Sequence, residues 1–159
     1  MKATFGAGCF WHVEEEFRKL KGVLKTEVGY MGGKTKCPSY EDVCTDKTGH
    51  VEVVHLEYDP KSVSYAQLLD LFWKVHDPTQ LNRQGPDVGT QYKSVIFYHN
   101  EAQKDIAMKS KEEEQIMRQK LKPNSKLATE IISASTFYRA EEYHQKYLHK
   151  KGAKTCRIF

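Results

Sequence analysis

Residues 50–76, HVEVVHLEYDPKSVSYAQLLDLFWKVH, change their apolar period abruptly across one Asp-Pro break. Before the break, the alternation through Tyr58 is that of a strand, closed by Asp59 and Pro60. After it, Ser64 stands where a helix cap belongs, and Tyr65, Leu68, Leu69, Phe72 and Val75 recur at helical spacing. The two periods alternate along most of the chain. KATFGAG is a short apolar strand ending at Gly8, and a helix is predicted from Cys9 to Lys21, with Val13, Phe17 and Leu20 on one face. Glu14, Glu15 and Glu16 crowd its first turns, as acidic residues do at the positive end of a helix.

VLKTEVGY continues as a strand, broken by Met31–Gly33, and SVIFYH is another. A charged helix is predicted from Glu101 to about Leu121, then a strand in TEIISAS, a helix in AEEYHQKYLHK and a short tail. The order strand, helix, strand, strand, helix, strand predicts an α+β two-layer sandwich with a ferredoxin-like, split βαβ core and a C-terminal extension. Residues 1–159 form one domain on this reading, and a chain of that length buries roughly 70% of its unfolded surface without needing a disulfide or metal.

The net charge of +4 is mild, and the basic stretches 18–25 and 118–126 carry no nucleic-acid fold signature. No apolar run approaches the length of a membrane span, and the start lacks the core of a signal peptide, so a cytoplasmic protein is expected. Cysteines stand at 9, 37, 44 and 156 without a CxxC pair, which speaks against a structural zinc site. In a reducing compartment a disulfide framework is not expected either. What remains is inert buried thiols or redox-active ones.

Cys9 follows a strand and opens a helix, with Gly6, Ala7 and Gly8 allowing close approach. Backbone N–H groups at a helix start favour the thiolate, the nucleophilic form. Phe10 and Trp11 beside it suit an apolar, aromatic-walled pocket. In HVEVVHLEY, Glu52 shares a face with Val54, Leu56 and Tyr58 by the two-residue period. A carboxyl on an apolar face has its pKa raised and can donate a proton near neutrality, although a solvated strand end would fit the pattern as well. The aperiodic stretch from Asp77 to Tyr92 is long for a connection, and such loops are usually functional.

GCFW at 8–11 resembles the signature of the peptide methionine sulfoxide reductase A family. GYMGG, SYEDVC, TGHVEVV, YDP, FWKVHDPTQ, GPDVGTQYKS and EYHQKYLHK resemble further blocks of that family, in its order and over nearly the whole chain. The resemblance implies a single methionine sulfoxide reductase A domain. It would reduce free or protein-bound methionine (S)-S-oxide through a sulfenic acid and an intramolecular disulfide, with thioredoxin or a similar dithiol protein as reductant. It implies Cys9 as nucleophile, Glu52 as acid, Tyr40 and Tyr92 as donors to the sulfoxide oxygen, and Phe10, Trp11 and Asp87 as substrate contacts. No cofactor or metal enters, and a monomer is expected.

Three departures from the family pattern stand out: His12 after GCFW, a tail without the glycine-rich stretch and second terminal cysteine, and Cys37. These departures leave two candidates for the resolving thiol: the resemblance favours Cys156, which follows YLHK, and Cys37 is the alternative; Cys44 is expected to be structural. The histidines at 12, 144 and 149 leave a Cys/His hydrolase as the competing function, with a zinc protein behind it.

Overall fold

The computed structural model describes residues 1–150. Strand β1 (Lys2–Ala7) leads into helix α1 (Phe10–Arg18), and β2 (Val23–Met31), a short α2 (Tyr40–Cys44) and β3 (Val51–Tyr58) follow. Helix α3 (Tyr65–Val75) then precedes a two-residue hairpin, β4 (Arg83–Gln84) and β5 (Asp87–Val88). After the 3-10 turn Thr90–Tyr92 come β6 (Ser94–Tyr98), α4 (Glu101–Leu121), β7 (Glu130–Ser133), β8 (Tyr138–Arg139) and α5 (Tyr147–Lys150).

Six strands form one mixed sheet in the order β7-β6-β1-β3-β2-β8. β1 lies between β3 and β6 and is antiparallel to both, so the two strand–helix–strand halves of the chain interleave. Among the described residues only β6 and β7 pair in parallel. The α+β class expected from the periods is the class the chain adopts.

One face of the sheet, carrying Phe5, Val54, Leu56 and Ile96, packs against Phe17 of α1 and Leu68, Leu69 and Phe72 of α3. Each of these side chains is removed from water, worth ~1.5–3 kcal/mol apiece before the chain entropy it opposes. The opposite face, with Met31, Val51, Val53, Val95 and Phe97, is covered by Ala134 and Phe137. Helix α3 starts as its sequence predicts: Ser64 Oγ accepts the Gln67 N–H at 3.1 Å and Gln67 Oε1 accepts the Ser64 N–H at 2.9 Å.

Three expectations need correction. The glutamates of α1 do not sit at its dipole: the helix begins at Phe10, and its first turn holds no acid. Glu14 is buried and accepts the Thr26 hydroxyl at 2.9 Å and the Lys146 N–H at 2.6 Å, while Glu15 pairs with Arg18. The stretch 140–150 is not one helix but a 3-10 turn at Glu142–His144 and the single turn of α5. Its backbone is pulled out of helical register because Gln145 binds β2. Gln145 Oε1 accepts the Val28 N–H at 2.9 Å, and its Nε2 donates to the Val28 carbonyl at 2.8 Å. Finally, the loop 77–92 contains the β4–β5 hairpin, and α2 stands where no helix was expected.

Candidate active site

The strand-to-helix turn at residues 8–10 is shaped by Gly8, whose φ of +94° lies in the left-handed region. A Cβ there would meet Gln84 Cγ at 2.8 Å, so only glycine fits. Cys9 takes the N-cap position of α1 and is half-buried. The Trp11 and His12 N–H groups lie close enough to its sulfur to favour the thiolate, though neither closes a capping hydrogen bond. The thiol is nonetheless pushed up to about 12, first by burial and then by the Glu52 and Asp87 carboxylates. The lowered thiol pKa expected from the helix start alone is thus corrected: desolvation and two like charges outweigh the backbone.

Glu52 occupies the helix-facing side of β3 and is 2% exposed. It accepts a hydrogen bond from the Phe10 N–H, 3.3 Å from Oε1. Burial, and secondarily the charge of Asp87, raises its carboxyl from 4.5 to about 8. At neutral pH it therefore keeps its proton, beside a thiol that also keeps its own. Tyr92 ends the 3-10 turn after the hairpin, and Tyr40 begins α2; both are half-buried. Burial first, then Cys44 for Tyr40 and Glu52 for Tyr92, holds both phenols well above their ordinary range, so they remain hydrogen-bond donors. Asp87, on β5, is half-buried and also raised by burial.

The two aromatics after Cys9 divide their roles. Phe10 is 1% exposed, with its ring 5.8 Å from Tyr30 and 5.3 Å from His144. Trp11 is half-buried; Tyr147 stacks on it at 4.0 Å, and its Nε1–H donates to His144 Nδ1 at 3.0 Å. That bond fixes the His144 tautomer with its proton on Nε2. His144 and Tyr147 were missed as site residues because the apparent helical period of their segment concealed a broken one. Gln84, discussed below, carried no sequence signal at all.

The other cysteines are placed less closely. Cys37 and Cys44 are exposed free thiols, and Cys156 lies outside the described residues. Cys44 is not a buried structural group; its thiol and the Tyr40 hydroxyl are hydrogen-bonded neighbours. Among the described residues no group of three or more His, Cys, Asp or Glu could hold a metal ion. No helix among them is long and apolar enough to cross a membrane. A cleft of about 580 Å³, lined by residues that include His12, Glu16, Lys74, His76 and Arg118, contains neither Cys9 nor Glu52.

The arrangement is one thiol facing a protonated carboxyl, two phenols and an aromatic wall. The ionised forms of Glu52 and Asp87 oppose the Cys9 thiolate, the opposite of the imidazolium pairing that a Cys/His hydrolase would require. A family model described as peptide methionine sulfoxide reductase matches residues 1–159. The chain belongs to that family. Peptide methionine sulfoxide reductase MsrA of Geobacter sulfurreducens is 58% identical over 156 residues, covering 98% of this chain and 94% of that protein.

Among solved structures of this reductase family, Mxr1 from Saccharomyces cerevisiae in its reduced form aligns with a TM-score of 0.87 at 38% identity. The match covers 97% of this chain and 87% of that one. The same yeast protein in complex with Trx2 aligns with a TM-score of 0.62 at 28% identity, over 92% and 84% of the two chains. As a peptide methionine sulfoxide reductase the protein is an oxidoreductase, and the thiol–carboxyl pair is read in that light below.

Proposed function

We propose that the chain reduces free and protein-bound methionine (S)-S-oxide with Cys9 as nucleophile and Glu52 as acid. The observation that carries the reading is the buried, proton-bearing carboxyl of Glu52, tied by hydrogen bond to the first turn of the helix that Cys9 caps. A sulfoxide oxygen cannot leave as bare oxide. Glu52 protonates it while the Cys9 sulfur attacks the methionine sulfur, and the thiol's own proton returns to Glu52. The attack forms an S–S bond, and the hydroxyl then passes from the methionine sulfur to the Cys9 sulfur: the methionine S–O bond and the S–S bond both break, Cys9 becomes a sulfenic acid, and the thioether leaves with an electron pair. No net proton is consumed, so a site holding both protons at rest is suited to the step.

Tyr40 and Tyr92, kept neutral by burial, donate to the sulfoxide oxygen. Trp11, its orientation set by His144 and Tyr147, flanks the methyl group, with Phe10 backing the wall. Asp87 accepts from the substrate's N–H groups. A second thiol, Cys156 or the exposed Cys37, attacks the sulfenic acid, forming a disulfide and releasing water. Thioredoxin then reduces that disulfide, a role suggested by the yeast relative's complex with Trx2. A single-domain monomer in a reducing, cytoplasmic setting suits this cycle.

The test is direct. Cys9→Ser should abolish reduction of methionine sulfoxide even with dithiothreitol present, and the intact enzyme should consume the S epimer and leave the R. Activity retained in Cys9→Ser would remove the reading.

A further inference from the structure

We propose that Gln84 is the positioning residue that sets Asp87 against the Cys9 turn, a role that rests on Asp87 contacting the substrate. Gln84 is 2% exposed and satisfies both backbone groups of one residue. Its Oε1 accepts the Asp77 N–H at 2.8 Å, and its Nε2 donates to the Asp77 carbonyl at 2.8 Å. The side-chain amide thereby ties the hairpin to the end of α3. Its stem packs on Gly8, where an added Cβ would lie 2.8 Å from Gln84 Cγ and 2.9 Å from its Cβ.

On the hairpin itself, Gln84 is the cross-strand partner of Asp87, so the two side chains leave the same face. That face is the one whose Gln84 stem lies against Gly8, and the Asp87 charge acts on the Cys9 thiol next to it. One residue therefore fixes three separations: hairpin to α3, hairpin to the glycine before the nucleophile, and Asp87 to both. The turn beyond is held independently, because Gln80 Oε1 accepts the Gly85 N–H at 2.8 Å and its Nε2 donates to Asp77 Oδ2 at 3.2 Å. Losing the Gln84 amide should consequently tilt the hairpin rather than unfold it. Gln84 touches no reacting atom, and its effect must pass through Asp87.

The experiment is a double-mutant cycle on the full-length enzyme, with free methionine sulfoxide as substrate and dithiothreitol as reductant. Gln84→Met keeps the stem and removes both hydrogen bonds; Gln84→Glu keeps the acceptor and removes the donor. Gln84→Met should raise KM roughly tenfold with kcat changed far less, since small misplacements of binding groups act mainly on binding. Gln84→Glu should raise it less. Asp87→Asn should raise KM too, and adding Gln84→Met to it should have little further effect, because the amide has nothing left to position. If the two KM effects multiply, or if the Gln84 variants leave KM unchanged while Asp87→Asn raises it, this inference is overturned alone. If Asp87→Asn leaves KM unchanged, the substrate role of Asp87 falls and the inference falls with it. Gln84→Glu supplies the same cycle should Gln84→Met melt below the assay temperature.

Discussion

Glu52 is buried beside the Asp87 carboxylate, and against the pull of the Phe10 N–H these make it an acid that holds its proton to about pH 8. Catalysis by that proton predicts that kcat/KM falls as pH rises through about 8, with no rise below it from thiol ionisation, since Cys9 titrates near 12. Glu52→Gln should erase the alkaline limb and lower the rate by roughly 10²–10⁴-fold. A rate that climbs through pH 7 to 9 would instead make thiolate formation limiting. The same shift acts on stability. Below pH 4.5 the folded and unfolded chains both hold the proton; between 4.5 and about 8 only the folded one does. Each pH unit in that window therefore costs the folded state about 1.4 kcal/mol. Glu52→Gln should gain in melting temperature over the parent as pH rises from 5 to 9, and parallel melting curves across that range would contradict the assignment.

At the scale of elements, two glutamines do what strands ordinarily do. Gln84 clasps both backbone groups of Asp77, and Gln145 clasps both of Val28 while also donating to the Ala140 carbonyl at 2.8 Å. Gln145→Leu keeps the volume but leaves the buried Val28 N–H without its acceptor, a loss of about 1–3 kcal/mol read as a lower urea midpoint. A change under a few tenths would mean the segment is held elsewhere, for instance through Glu14 and Lys146. These clamps also explain what the sequence could not disclose. Helix α3 announced itself through its Ser64 cap and its period, α4 through its long charged run, and β3 through its alternation. The segment from Ala140 and the loop from Asp77 are shaped by long-range side-chain-to-backbone bonds, which leave no periodic trace. The candidate site was legible at Cys9, where a thiol coincides with a helix start, and at Glu52 only through the family resemblance, since the strand period fits a solvated end as well. It was illegible where a residue such as His144 or Gln84 acts only through another.

For the whole molecule, turnover joins a chemical step built on the sheet to a recycling step that needs a second thiol. Among the described residues, the sulfenic acid would form at a half-buried Cys9, while Cys37 and Cys44 are exposed. A dithiol reductant attacks disulfides readily, so a resolving thiol converts an enclosed sulfenic acid into a bond that such a protein can exchange. Cys156, preferred as resolver, follows the last matched block of the chain and lies outside the described residues; Cys37 lies on the segment entering α2, three residues before Tyr40. The two routes separate cleanly by experiment. Cys156→Ser should release one methionine per enzyme in a single turnover, as the parent does, yet fail to cycle with thioredoxin, and no disulfide to Cys9 should appear in peptide mass maps. If thioredoxin-driven cycling persists in Cys156→Ser and vanishes in Cys37→Ser, the electrons pass through the segment before Tyr40, and Cys156 has no part in the relay.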